Sequence, residues 1–198
     1  MARTPRSRLT LLAALAALAT AALLPATASA SACGDQSFSK PFARWLDPFS
    51  YTQVPGGTFE SGTEGWTLKG GARVVAGNES WAVSGPGSRS LSIPAGGSAT
   101  SPGFCAGLAY PTFRYFTRGT GLLLNVAVVE VLYRDQAGLL RSAPLPNLSL
   151  TRSWAPTLPL PTLSGLPILT GSQLSLRITS VLGGTQVDDV YVDPWSRY

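Results

Sequence analysis

The chain has 198 residues, with 15 Lys plus Arg against 10 Asp plus Glu and a formal net charge of +5. It contains two cysteines and no histidine. The missing histidine excludes Ser-His-Asp and Cys-His triads as ordinarily built and removes the usual ligands of catalytic zinc. No Lys/Arg-rich run provides a footprint for nucleic acid.

Residues 1–32 read as an export leader. Arg3, Arg6 and Arg8 form a positive start, Leu9 to Leu24 an uncharged apolar run, and "PATASASA" offers cleavage after Ala30 or Ala32. The run is short for a membrane span, which needs about 20 apolar residues, and no later segment is long or apolar enough. Removing the leader leaves twelve basic residues against ten acidic ones, a net charge of only +2. Only Lys40 and Lys69 are lysines, and this Arg- and Ala-rich bias suits a GC-rich bacterial source. The remaining chain, about 166 residues, is enough for one domain with a proper core.

Cys33 and Cys105 are an even pair in an oxidising compartment, which favours a disulfide. It would close a loop of about seventy residues and contribute roughly 2–4 kcal/mol. The rival reading is lipidation of Cys33 directly after "ASA", which would anchor the protein to a membrane and leave Cys105 an odd thiol. Residues 33–52 read as an extended N-terminal arm with Trp45 as a packing anchor, and residues 53–198 as one β-domain.

Within that domain Gly and Pro interrupt every helical period, while several windows alternate with period two. In "PGGTFESGTEGW" Gly56 and Gly57 allow a sharp entry, Phe59 is expected to anchor a first strand, and Trp66 is expected in the core. "SGPGS" precedes a short strand, "RSLSIP". "TFRYFTR" sets Phe113 and Tyr115 opposite Arg114 and Phe116. "NVAVVEVLYR" sets Val129, Val131 and Tyr133 opposite Val128, Glu130 and Leu132. "RDQAG" is a hairpin loop. The Pro-rich stretch from Pro144 to Pro167 reads as edge strand plus loop, since proline cannot donate to a ladder. "QLSLRITSV" sets Leu174, Leu176 and Ile178 against Ser175, Arg177 and Thr179. Many short strands with close turn signals predict an all-β antiparallel sandwich.

The remaining catalytic option is a carboxylate pair, as in glycoside hydrolysis, drawn from Glu60, Glu64, Glu79, Glu130 and the terminal aspartates. In "VDDVYVDP", period two places Asp188 with Val190 and Val192, and Asp189 with Val187 and Tyr191. The adjacent aspartates then point to opposite faces and cannot form one catalytic pair. Asp193 before Pro194 closes the strand. No motif supports an enzyme. The sequons at Asn78 and Asn147 read as chance.

"GGTFESGTEGW" near the start and "VDDVYVDP" at the end resemble the bookends of galactose-binding-like jelly rolls. These include carbohydrate-binding modules patterned G-x-F-E-x-G, then Trp, closing on a V-D-D-V strand. The resemblance spans roughly residues 54–194. It implies neighbouring first and last strands, and a structural calcium held by Glu60 with Asp188 or Asp189; plain hydrogen bonding of these carboxylates is the alternative. It also implies a non-catalytic binder of carbohydrate or cell-envelope glycan. Stacking candidates are Trp81, Tyr133, Trp154 and Trp195, with Trp154 expected to be the most exposed; polar candidates are Arg114, Glu130 and Arg177. The alternative for the rings is packing. For the charges it is a cross-strand set on the face away from the core, each pair contributing roughly 0.2–1 kcal/mol. A structural or protein-interaction module at the cell surface is the rival function. A row of exposed rings favours sugar, and a face without rings favours the rival.

Overall fold

A computed structural model describes residues 36–105, 112–121, 124–149, 152–162 and 173–193. The leader, Cys33 and Trp195 lie outside these residues, as does the side chain of Cys105, and with them the expected cleavage, disulfide and lipid anchor.

Among the described residues a 3-10 turn, Ala43–Trp45, precedes thirteen strands. These are β1 (Thr52–Gln53), β2 (Thr67–Lys69), β3 (Arg73–Ala76), β4 (Arg89–Pro94), β5 (Ser98–Thr100), β6 (Phe104–Cys105) and β7 (Thr112–Gly119). There follow β8 (Asn125–Arg134), β9 (Leu140–Ser149), β10 (Ala155–Pro156), β11 (Leu160–Pro161), β12 (Gln173–Leu182) and β13 (Gly184–Asp193). Among the described residues seven strands form one sheet, ordered β10-β7-β13-β4-β3, with β1 beside β13 and β11 beside β7. Six form the other, ordered β2-β5-β12-β8-β9, with β6 beside β12. Every pairing is antiparallel. No helix among the described residues is long and apolar enough to cross a membrane.

The period-two strands face each other across the core. Leu91, Ile93, Phe113, Tyr115, Val187, Val190 and Val192 of the seven-stranded sheet pack on Val129, Val131, Leu174, Leu176 and Ile178 of the other. Trp66 joins this core, 5% exposed, and its indole N–H donates to the Pro55 carbonyl at 3.0 Å. Phe59 is also fully buried, but in a turn rather than on a strand. The "RDQAG" segment makes the β8–β9 hairpin, closed by the Asp135 N–H on the Leu139 carbonyl. β9 is an edge strand carrying Pro144 and Pro146, where a missing N–H costs no ladder bond.

The outer face of the seven-stranded sheet is not open. Phe42 and Tyr51 of the N-terminal segment lie on Phe116 (β7), Tyr191 (β13) and Trp154 as a second aromatic core. The Phe42 ring is 4.9 Å from Tyr51, 5.6 Å from Phe116 and 5.8 Å from Tyr191, spacings at which ring quadrupoles attract. Trp45 is only half-buried, so Phe42 is the deeper anchor. Arg114 ties the layer down. Its Nη1 meets Asp47 Oδ2 at 2.5 Å, its Nε donates to the Thr157 carbonyl at 2.8 Å, and its guanidinium stands 4.3 Å over the Phe42 ring. The Tyr51 hydroxyl donates to the same Asp47 oxygen at 2.8 Å.

Asp47→Ala leaves the buried Arg114 without its anion, and breaking a buried pair costs about 3–5 kcal/mol. Denaturant unfolding of Asp47→Ala is therefore expected to show a loss of that size, with no measurable change for Arg141→Ala at the solvent-facing Arg141–Asp135 pair.

Candidate functional site

The terminal aspartates sit at a bulge in β13. Asp188 pairs with Phe116 and Tyr191 with Arg114, so two residues, Asp189 and Val190, oppose the single residue Tyr115. Asp189 takes a left-handed backbone, φ 49°, which Asp tolerates better than most residues. The bulged backbone is satisfied by the glycine-rich loop: Val54 N–H donates to Val190 O at 2.9 Å and Val190 N–H to Gly57 O at 3.1 Å. Gly57 has to be glycine, because a Cβ there would lie 2.9 Å from the carbonyl oxygens of both Val54 and Val190.

This overturns the strict alternation expected for the strand. Val187, Val190 and Val192 all reach the intersheet core, because the extra residue resets the phase after Asp189. Asp188 does not share a face with Val190, and Asp189 does not point to solvent; both are 0% exposed.

Three buried carboxylates meet behind the bulge. Asp188 accepts the backbone N–H groups of Glu79 and Asp189, each at 2.9 Å. Glu79, itself buried, accepts those of Trp81 at 2.5 Å and Val83 at 2.8 Å, and so shapes the loop after β3. The Ser84 hydroxyl and backbone N–H favour the charged form of Asp189, but neither carboxylate oxygen has a hydrogen-bond partner of good geometry. None of the three joins an ion pair among the described residues. Burial, with Asp189 and Glu79 as like charges, pushes Asp188 up to about 8 against the opposing N–H donors. Burial, with Glu79 and Glu60 nearby, pushes Asp189 up to about 6.

Glu60 lies close enough to repel Asp189 but is already occupied. It accepts Ser88 N–H at 2.9 Å, Arg89 N–H at 2.8 Å and the Ser88 hydroxyl at 3.2 Å. Against the pull of partial burial, these donors hold its carboxyl below the usual range. Two orphaned buried carboxylate oxygens on Asp189, in a neighbourhood of uncompensated negative charge, fit a hard cation. Among the described residues no three Asp, Glu, His or Cys side chains converge to hold one by themselves, so backbone or hydroxyl oxygens would complete the shell.

Among the described residues nothing seals the outer face of the six-stranded sheet as the aromatic layer seals the other. Glu130 and Arg177 stand opposite in the β8–β12 register and bond bidentately at 2.6 and 2.7 Å. The Arg177 hydrogen bonds hold Glu130 below the usual range, and Glu130 raises Arg177 in turn. Arg114 does not belong with them. It is on the other sheet, 4% exposed and engaged by Asp47, so the expected three-residue charge set is a two-residue one.

Trp154 is not the exposed ring expected of a Pro-rich loop. It is 7% exposed, because β10 folds back on β7 and lays it in the aromatic layer, with Arg118 4.9 Å over its ring. Trp81 is half-buried there, edge-on to Trp45. Of the proposed rings and charges, the structure brings Glu130 and Arg177 to the open sheet, whereas Tyr133 shares the inward phase of Val129 and Val131 and packs, half-buried, against the intersheet core. Tyr133, half-buried at the rim, lines a cavity of about 460 Å³ with Gly103, Leu132, Arg134, Leu140, Gln173 and Ser175. Arg134, Gln173 and Ser175 were not singled out from sequence, although Ser175 shares the outward phase of Arg177.

The pH response of the metal-free protein follows from the raised aspartates. Unfolded Asp titrates near ~3.9, so between there and about 6 to 8 the folded state holds more protons, and stability falls as pH rises. Glu60 and Glu130, held low, add stability that is lost only on acidification below about pH 4–5. Urea midpoints in chelator are expected to peak near about pH 4–5 and decline toward neutrality, with a shallower decline in Asp189→Asn.

No protein-family model matches the chain. No curated protein matches its sequence. Solved structures match its fold. The CBM22-1 and GH10 modules of Clostridium thermocellum xylanase 10B, complexed with xylohexaose, align with TM-score 0.56 and 17% identity over 74% of this chain and 29% of that one, so this chain spans less than a third of it. The CBM22-1 xylan-binding domain of Paenibacillus barcinonensis Xyn10C aligns with TM-score 0.51 and 17% identity over 72% of this chain and 94% of that one. The enzymatically active domain of bacteriophage CBA120 tailspike protein 4 aligns with TM-score 0.50 and 14% identity over 71% and 21%. The chain therefore has the antiparallel β-sandwich fold of carbohydrate-binding modules.

Proposed function

We propose that the protein is an exported, non-catalytic module that binds a glycan on the open face of its six-stranded sheet. One observation carries this reading. On a fold shared with a xylan-binding domain, the sheet left open among the described residues has a cavity of about 460 Å³ lined by leucines, a guanidinium, an amide and a hydroxyl. Ligand sites have that size and that mixture of apolar wall and few polar groups. Leu132 and Leu140 suit the C–H face of a pyranose; Gln173 and Ser175 suit its hydroxyls. The placement of Glu79, Glu130, Asp188 and Asp189 argues against glycoside hydrolysis, which needs two free carboxyls across a cleft. Glu130 is closed by Arg177, and Glu79, Asp188 and Asp189 are buried.

A structural calcium belongs to the same reading. Asp189 would supply the anionic ligand, with Glu60 beside it, while Asp188 stays committed to backbone N–H groups. The cation would neutralise buried charge and fix the glycine-rich loop to the last strand. A second reading, a protein-interaction module at the cell surface, draws on the exposed Leu139, Leu140, Val181 and Leu182 and on the one cavity ring, Tyr133, being turned to the intersheet core.

The mature protein is expected to bind at least one polysaccharide on a glycan array. Leu132→Ala should weaken that binding about tenfold, the scale for truncating an apolar group in a binding pocket, without loss of the folded state by circular dichroism. Silence across the array would favour the interaction module. Calcium should raise the melting temperature and chelator lower it, since a ligand of the folded state stabilises by mass action; an unchanged melting temperature removes the calcium.

A further inference from the structure

We infer that the glycan taken by the open sheet is an acidic polysaccharide bearing uronic acid carboxylates; this rests on the glycan-binding reading of that face. The inference comes from charge bookkeeping around the cavity. Glu130 is neutralised by Arg177, and Asp135 in the adjoining hairpin by Arg141 at 2.8 Å. Arg134 is in the cavity wall and exposed, with no acidic partner among the described residues. The cavity is thus lined by one uncompensated cation and no acid. Lys69, outward on β2 of the same sheet, is also without an ion pair among the described residues.

The guanidinium is held ready. Arg134 Nη1 donates to the Gly138 carbonyl of its own hairpin at 2.8 Å, which fixes the plane and leaves other N–H groups for a ligand. A planar fork matches a carboxylate. A lone arginine suits one such monoanion, whereas phosphorylated ligands are usually met by arginine clusters. Beside it, Gly103 leaves room for the Gln173 amide, because a Cβ there would come within 2.6 Å of the amide oxygen. Arg134 would take the carboxylate, Gln173 and Ser175 the ring hydroxyls, and Leu132 and Leu140 the apolar face. With Tyr133 turned to the intersheet core and no other ring among the cavity residues, charge rather than stacking sets the preference.

Titration calorimetry of the mature protein against polygalacturonate, neutral xylan and dextran sulfate tests this. Polygalacturonate should bind best and weaken as salt screens the contact. Arg134→Gln should lose about tenfold or more of that affinity, as for a charged hydrogen bond, and Arg134→Lys less. Arg44→Gln on the N-terminal arm should change nothing. Gln173→Leu, which keeps Arg134, should weaken every bound glycan alike. Equal affinity for xylan and polygalacturonate, or full affinity in Arg134→Gln, overturns the acidic-glycan inference while leaving the glycan reading intact. Binding to dextran sulfate but not polygalacturonate overturns the carboxylate assignment. No binding to any polymer, by a protein with an unchanged melting temperature, removes both readings.

Discussion

The structure depends on a last strand buried on both faces. All ten residues of β13 are inaccessible, one side against the intersheet core and the other against the N-terminal aromatic layer. An antiparallel strand in a sandwich ordinarily keeps one wet face. Here the strand has to hide polar side chains, and the bulge is how it does so. The extra residue at Asp189 lets both aspartates find places off the apolar core while valines on either side keep their packing. The price is two carboxylates in a low-dielectric site, raised well above their ordinary values.

That burial also selects which surface can meet a ligand. Phe42, Tyr51 and the Arg114–Asp47 pair seal the seven-stranded sheet, joined from the far side by Trp154 and from the loop after β3 by Trp81. Rings that could have formed a sugar platform are spent on cohesion. Among the described residues the six-stranded sheet has no comparable cover, so its outward residues are those left for recognition. Glu79 links the two regions: its carboxylate shapes the loop that carries Trp81, and its N–H holds Asp188.

Part of the site was legible before folding. The Glu130–Arg177 pair follows from period two plus strand neighbourhood, since both residues alternate away from valines and leucines that have to be inside. Arg114 obeys the same local rule and fails it globally. Its outward face is covered by a segment more than sixty positions earlier, |i−j| = 67 to Asp47, which no strand period can reveal. Trp154 fails for the same reason: a proline-rich loop reads as exposed until β10 pairs with β7 and turns its ring inward. Arg134 carries no motif at all. It matters only because a hairpin carbonyl, a glycine and an amide from three strands or turns gather beside it.

The sequence by itself determined the fold class, the antiparallel strands and their inward residues, because alternation and Gly/Pro punctuation are local and hydrophobic burial acts on each strand separately. The resemblance of its two end motifs to galactose-binding-like jelly rolls implied that the glycine-rich opening and the V-D-D-V ending would be neighbours. Only the tertiary structure decided how they meet: a bulge sealed by Gly57, two aspartates buried together instead of on opposite faces, and a second core that closes one sheet and leaves the other open. Those outcomes depend on contacts between distant segments, on the insertion of one residue into a ladder, and on which face the N-terminal arm covers. None of these is encoded in the period of any single strand.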